Sequence, residues 1–114
     1  NKKIIVKGNG GHAAAPHNTI DPVITGSKIV VELQSIISRE LNPLESGVIS
    51  VTMMNAGDAW NVIPSTMELQ GTIRSLTLDG LLNLQKRVKE YVKERQVVIQ
   101  NNLFVLEIIV TIGA

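Results

Sequence analysis

The sequence predicts an α+β fold in which four antiparallel strands are covered on one face by two helices. Two segments have apolar residues at the three- and four-residue spacing of an amphipathic helix, and shorter segments alternate apolar and polar residues as half-buried strands do. Their order along the chain is β-α-β-β-α-β. This order is typical of a ferredoxin-like two-layer sandwich.

The composition narrows the class of protein. The 114 residues suffice for one domain, and we expect residues 1–114 to form a single one. Hydrophobic residues make up 44% of the chain, but only Trp60, Tyr91 and Phe104 are aromatic, so the predicted core is aliphatic. A net charge of +1 gives no electrostatic reason to expect nucleic acid or a membrane as partner. Without cysteine, signal peptide or membrane span, we expect a cytoplasmic location.

The first strand and the first helix are separated by a glycine-rich segment. Residues 3–7 are β-branched between lysines, which favours a strand, and residues 8–11 contain three glycines. Asp21 is the expected N-cap of the helix, with Pro22 at its first position. The helix should end before Asn42. Its predicted buried stripe consists of Gly26, Val30, Leu33, Ile37 and Leu41, widened by Ile29 and Ile36.

The second and third strands follow this helix. Residues 47–54 should form the second strand, with Ile49, Val51 and Met53 on one face. A loop over residues 55–61 then leads to the third strand, which has one apolar and one polar face. The apolar positions are Met67, Leu69, Gly71 and Ile73, and the polar positions are Glu68, Gln70, Thr72 and Arg74.

The second helix and the last strand complete the pattern. Thr77 is the expected N-cap, and Asp79 in the first turn favours the helix dipole. The last strand is predicted at about residues 103–112. In this topology the first and last strands are neighbours, and the second strand lies at an edge. The predicted buried stripe of the helix consists of Leu78, Leu81, Leu82, Val88, Tyr91 and Val92.

The glycine-rich segment leads to His12, the first candidate functional residue. It lacks the G-x-G-x-x-G spacing of a dinucleotide site, and no P-loop lysine follows. His12 and His17 are the two histidines; they lie outside any HExxH helix and have no carboxylate cluster beside them, so no metal site is predicted in this chain. On these residues alone, a structural turn with a surface histidine is the simpler interpretation.

Two further residues suggest substrate binding. Arg74 lies at the polar end of the third strand, where a guanidinium can hold a carboxylate through two hydrogen bonds. Asn61 follows Trp60 and precedes the segment 62–64. Taken singly, Arg74 is also consistent with a solvated strand end and Asn61 with a turn-capping residue.

Together, several spaced motifs resemble the lid domain of the zinc or manganese aminoacylase and carboxypeptidase superfamily. The likeness is greatest to the N-acyl-amino-acid amidohydrolases, which include hippurate hydrolases and indole-acetic-acid–amino-acid conjugate hydrolases. It covers roughly residues 3–95 and depends on motifs that occur in the same order. These motifs are Gly-Gly-His-Ala-Ala-Ala-Pro-His (10–17), Ile-Asp-Pro (20–22), Ser-Arg-Glu (38–40), Asn-Pro-Leu (42–44), Asn-Ala-Gly (55–57), Trp-Asn-Val-Ile-Pro (60–64) and Gly-Thr-Ile-Arg (71–74).

The resemblance implies an accessory lid and dimerisation domain, inserted in a catalytic domain that this chain lacks. It implies a homodimer formed through the edge strand 47–54 and the adjoining helix. No cofactor is expected in this chain, because the two divalent metals, zinc or manganese, belong to the catalytic domain. Alone, the chain should be inactive.

The resemblance also implies roles for single residues. His12 would reach the active site of the partner subunit and donate a hydrogen bond to the scissile carbonyl oxygen. Asn61 would contact the amide region of an N-acyl amino acid substrate, and Arg74 would bind its free carboxylate. His17 and Trp60 would line the entrance.

Two other functions stay open at this point. A ligand-sensing regulatory domain of the same fold could use residues 8–11 as its ligand turn. A nucleic-acid-binding sandwich would need exposed aromatic residues on its central strands, whereas the third strand offers Glu68, Gln70 and Thr72. Residues 96–105 also depart from the stretch usual in the resembled family, which is more polar and has a glycine before the strand.

Overall fold

A computed structural model describes the backbone of residues 2–100 and 105–110 and the side chains of residues 3–93. A 3₁₀ turn at Pro16–Asn18 and a π-helical turn at Ile36–Glu40 accompany the helices and strands. No helix in these ranges has an apolar stretch long enough to span a membrane. The α+β class is confirmed. In chain order the elements are β1 (Lys2–Lys7), β2 (Gly11–His12), α1 (Pro22–Ser35), β3 (Val48–Ala56), β4 (Val62–Ile63), β5 (Thr66–Arg74), α2 (Leu78–Gln100) and β6 (Val105–Val110).

The larger sheet is antiparallel, with the strand order β3-β5-β1-β6. Ile4 of β1 lies opposite Leu69 of β5, and Val6 lies opposite Met67, so these four side chains share one face. Strand β3 pairs with β5 and lies at an edge of this sheet. Strands β2 and β4 form a separate two-stranded ribbon.

The core lies between one face of the larger sheet and the two helices. Tyr91 is the single aromatic residue among the buried side chains that the structure describes, and its hydroxyl lies 2.9 Å from the Ser35 hydroxyl of the other helix. This contact gives the hydroxyl of the buried Tyr91 a hydrogen-bonding partner. The other hydrophobic residues of this core are aliphatic or methionine, as predicted, and Thr25 is a buried polar residue. These hydrophobic residues are Ile4, Val6, Ile29, Leu33, Ile36, Ile49, Met67, Leu69, Ile73, Leu84, Val88 and Val92.

Helix α1 begins where the sequence predicts. The Asp21 carboxylate accepts a hydrogen bond from the Val23 N–H at 2.9 Å, and Pro22 takes the first helical position. The buried face is rotated from the predicted stripe: Ile29 is fully buried, whereas Val30 only packs partly against the core. Neighbouring positions on a helix lie about 100° apart. Contact with the sheet, rather than periodicity, decides which of the two is central.

Replacing Asp21 by Ala is expected to lower the free energy of unfolding by about 1 kcal/mol, because the Val23 N–H loses its acceptor. Urea denaturation measures this loss. Asp79→Ala is the matched control. Asp79 is an exposed acid in the first turn of α2, and it acts on that helix only through the helix dipole. A smaller loss in the Asp21 variant than in the control would contradict the capping role.

The end of α1 and strand β3 each contain an irregularity that periodicity does not predict. The Leu41 N–H bonds to the Ile36 carbonyl at 2.9 Å, which closes a π-helical turn. In β3 the register shifts between Val51 and Met53, and such a bulge reverses the alternation of faces. Met53 therefore lies opposite a polar position and is 49% exposed, so the predicted inward face for Met53 was wrong.

Helix α2 is capped as predicted, because the Thr77 hydroxyl accepts a hydrogen bond from the Gly80 N–H at 3.0 Å. Its buried stripe was predicted wrongly at two positions: Leu78 is 69% exposed and Leu82 is 51% exposed, while the buried Leu84 was missed. Apolar residues occur on more than one side of this helix, and the sheet covers only one. Strand β6 lies within the predicted range, of which residues 103–104 and 111–112 are outside the described residues.

Candidate functional site

The loop that carries His12 is closed at its base. Asn9 and Ile20 exchange backbone hydrogen bonds of 2.9 and 2.8 Å, which bring the ends of the loop together. Pro16 begins a 3₁₀ turn within it, and the Thr19 hydroxyl donates to the Pro16 carbonyl at 2.8 Å. Compact loops of this kind are packed by their own contacts. These contacts therefore give the loop at the end of β1 a defined conformation.

The start of this loop is fastened to the segment before β5. The Gly8 N–H donates to the Ser65 carbonyl at 2.7 Å, and the Gly10 N–H donates to the Ser65 hydroxyl at 3.1 Å. Gly10 must be glycine because a Cβ there would overlap the Ile63 carbonyl oxygen. Sequence patterns missed Ser65, since its partner Gly10 lies 55 positions away along the chain.

The ribbon of β2 and β4 brings His12 and Asn61 together. His12 pairs with Val62 across the ribbon, and the Ala13 N–H donates to the Asn61 carbonyl at 2.9 Å. Both side chains are exposed. The ribbon thus places the backbones of His12 and Asn61 at adjacent positions, and both residues are open to solvent.

The imidazole of His12 is also bonded to its own turn. The Ala14 N–H donates to His12 Nδ1 at 3.0 Å, and the Ala15 N–H donates to the His12 carbonyl at 3.0 Å. The first bond orients the ring, and the second closes the backbone turn that follows β2.

The structure places His17 and Trp60 at the same end of the molecule. His17 belongs to the 3₁₀ turn of the His12 loop, and Trp60 directly precedes Asn61. The Trp60 side chain is fully exposed, and that of His17 is exposed as well. An open groove beside the ribbon is lined in part by Gly10, Asn55 and Asp58, and the sequence analysis did not identify Asn55 or Asp58 as binding residues.

Arg74 lies at the opposite end of the sheet. Strand β5 starts at Thr66, which lies beside Lys7 at the base of the His12 loop, and runs away from it to Arg74 beside Val48. At about 3.3 Å per residue, this strand separates Arg74 from that loop by about 26 Å. A single copy of the chain therefore does not bring His12 and Arg74 to one small ligand.

The described residues contain no group of three or more His, Cys, Asp or Glu side chains placed to hold a metal ion. A catalytic zinc site takes three protein ligands of these kinds. The donor set of this part of the chain does not fit such a metal.

The fold is an α+β domain that presents His12 and Asn61 on a small two-stranded ribbon and Arg74 at the far end of the larger sheet. The chain belongs to the family of peptidase dimerisation domains, whose model matches residues 2–99. The resemblance inferred from the ordered motifs is thereby confirmed.

Two curated relatives show the kind of protein in which this domain occurs. The chain is 47% identical over 94 residues to an IAA-amino acid hydrolase of Arabidopsis thaliana, covering 82% of this chain and 21% of the relative. It is 44% identical over 93 residues to an N-acetyl-L-cysteine deacetylase of Bacillus subtilis, covering 82% and 20%. The chain thus spans about a fifth of the length of these relatives.

Solved structures show the same fold. A chain from methicillin-resistant Staphylococcus aureus, described as an aminohydrolase, superposes with a TM-score of 0.84 at 32% identity, over 94% of this chain and 28% of that one. A dinuclear metal-binding peptidase of the M20 family from Bacillus subtilis superposes with a TM-score of 0.68 at 22% identity, over 94% and 24%. The second match supports the fold alone.

Proposed function

We propose that this chain is the lid and dimerisation domain of a metal-dependent amidohydrolase that cleaves the amide bond of N-acyl amino acids. The observation that carries the proposal is the ribbon that holds His12 beside Asn61 in a chain of the dimerisation-domain family. The relatives support the substrate class, because N-acetyl-L-cysteine is an amino acid acylated on its nitrogen. Family membership favours this function over a ligand-sensing or a nucleic-acid-binding domain.

In this proposal residues 1–114 are one ferredoxin-like domain inserted in a catalytic domain. The strand order of the larger sheet supports the ferredoxin-like topology. As the family resemblance implies, the proposal assigns a pair of divalent metals, zinc or manganese, to the catalytic domain. In that domain, such a pair would supply a nucleophilic water at neutral pH. This chain alone should be inactive, and a cytoplasmic location stays a prediction.

His12 is assigned the role of oxyanion stabiliser in the partner subunit's active site. Negative charge grows on the scissile carbonyl oxygen as the amide becomes tetrahedral, and a positioned N–H donor there is worth about 3 kcal/mol. The ribbon keeps His12 and Asn61 in one frame, so that Asn61 contacts the amide region of the same substrate. His17 and Trp60 are placed at the entrance.

Arg74 is assigned to the substrate carboxylate, in a site that two subunits complete. The scissile amide and the carboxylate of an N-acyl amino acid are separated by one Cα, whereas His12 and Arg74 of one copy lie at opposite ends of the sheet. A two-fold dimer resolves this, because each site then takes His12 and Asn61 from one subunit and Arg74 from the other.

The proposed dimer pairs β3 with its copy and packs α1 beside it. Strand β3 is an edge of the larger sheet and carries the partly exposed apolar residues Val48, Met53 and Met54. Helix α1 contacts β1, β3 and β5, and it leaves Ile24 and Val31 50% and 71% exposed. An unpaired edge with apolar neighbours is a template for strand addition.

Ile24→Asp and Val31→Asp are each expected to raise the dissociation constant of the dimer by about tenfold to hundredfold, because a two-fold interface buries each position twice. Sedimentation velocity across a concentration series measures this change. Leu82→Asp on α2 is the matched control, since Leu82 is as exposed as Ile24 and should leave association unchanged. Dimerisation that is insensitive to both α1 variants would overturn this interface.

A further inference from the structure

The imidazole of His12 accepts a hydrogen bond from a backbone N–H two residues ahead. The donor is Ala14, the acceptor is Nδ1, and the separation is 3.0 Å. This closure resembles the turns that Asn and Asp side chains make with their own backbone. A ring nitrogen that accepts a hydrogen bond carries no proton, so a neutral imidazole in this turn is protonated on Nε2.

We infer that the Ala14 backbone N–H sets the tautomer of His12, which makes Nε2 the atom from which the neutral ring donates. The use of Nε2–H as a donor to the scissile carbonyl oxygen rests on the proposed function. With the proton on Nδ1 instead, Nε2 would turn a lone pair toward a carbonyl oxygen that is gaining negative charge. Ala14 is thus a positioning residue for His12.

The surroundings of the turn maintain this bond. The Ala13 N–H is held by the Asn61 carbonyl at 2.9 Å, and the Ala15 N–H by the His12 carbonyl at 3.0 Å, so the backbone on both sides of Ala14 is fixed. The residues at 13–15 are all alanine and bring no side-chain donor or acceptor to compete for Nδ1. Within the described part of the chain, the bond from Ala14 is the one hydrogen bond that the ring makes, and the exposed Nε2 is left for a ligand.

The chain contains its own control, because His17 is exposed on the same loop and its ring makes no hydrogen bond to the residues that the structure describes. Long-range ¹H–¹⁵N correlation spectra of the ¹⁵N-labelled 114-residue chain, recorded where both rings are neutral, report the protonated nitrogen of each ring. We expect the Nε2–H to Nδ1–H ratio of His12 to exceed that of His17 by about fivefold or more. A scalar coupling between the Ala14 nitrogen and His12 Nδ1 should be visible across the hydrogen bond.

Two variants complete the test. Ala14→Pro removes the N–H and should bring the tautomer ratio of His12 to that of His17, whereas Ala14→Gly keeps the N–H and should leave the ratio unchanged. If Ala14→Pro fails to fold, the comparison of the two histidines and the coupling in the unmodified chain still decide. Equal ratios for His12 and His17 without a coupling would overturn the inference.

The two proposals fail separately. A tautomer set by Ala14, together with full turnover of a His12→Ala parent enzyme, would support this inference and reject the oxyanion role. Equal tautomer ratios together with a large loss of turnover would reject this inference and support the oxyanion role.

Discussion

His12→Ala in the full-length parent enzyme is expected to lower kcat by about 10²- to 10³-fold, with its bound metal unchanged. His12 belongs to a ribbon of this domain, and the described residues around it offer no cluster of metal ligands. If the proposal is right, the variant should remove a hydrogen-bond donor without removing a metal ligand. Because the donor acts on charge that appears only in the transition state, kcat and kcat/KM should fall together. Steady-state kinetics and metal analysis of the same preparation measure both quantities.

Two variants make this result specific. His17→Ala removes the other exposed histidine of the same loop and should change kcat only by a few-fold. His12→Gln keeps a side-chain N–H donor and should retain more activity than His12→Ala. A His12→Ala enzyme with normal kcat, or one that loses its metal in proportion to its activity, would refute the proposed role.

Mixing two inactive variants of the parent enzyme is expected to restore activity. His12→Ala and Arg74→Ala remove groups from opposite ends of the same domain, which β5 holds about 26 Å apart. If each site takes His12 from one subunit and Arg74 from the other, a mixed dimer contains one site with neither change and one site with both. Random exchange in an equal mixture makes half of the dimers mixed, so about a quarter of the wild-type activity should return.

The alternative arrangement gives a different result. If one subunit supplied both groups to a site, every site in a mixed dimer would lack one of them, and mixing would restore nothing. His12→Ala mixed with Asn61→Ala is the matched control, since the ribbon delivers both residues to the same site. Every site of that mixed dimer therefore lacks either His12 or Asn61, so little activity should return. If as much activity returned as in the Arg74 mixture, the ribbon of one subunit could not be supplying both His12 and Asn61 to the same site.

The elements predicted well are those determined by residues close in sequence. Asp21 caps α1 and Thr77 caps α2, and each bond joins residues two or three positions apart. The alternation in β5 predicted its faces because each residue of a strand points opposite to the last. The family likeness was predicted from motifs because their order and spacing can be read directly along the sequence.

The misplaced side chains depended on contacts between distant segments. The bulge in β3 turned Met53 outward, and the packing of α2 on the sheet exposed Leu78 and Leu82 while it buried Leu84. Both helices have more apolar residues than one face can hold. The helical periodicity is therefore consistent with several alternative buried faces. Only the sheet selects among them.

For the candidate site, the sequence by itself determined which residues are present: the Gly-Gly-His turn, Asn61 and Arg74, in the order of the dimerisation-domain family. Only the tertiary structure decided which of them meet. The ribbon of β2 and β4 joins His12 to Asn61 across nearly 50 intervening residues, and the antiparallel course of β5 carries Arg74 away from both. The physical reason is that hydrogen-bond pairing between strands depends on their direction and register in space, which local sequence does not specify.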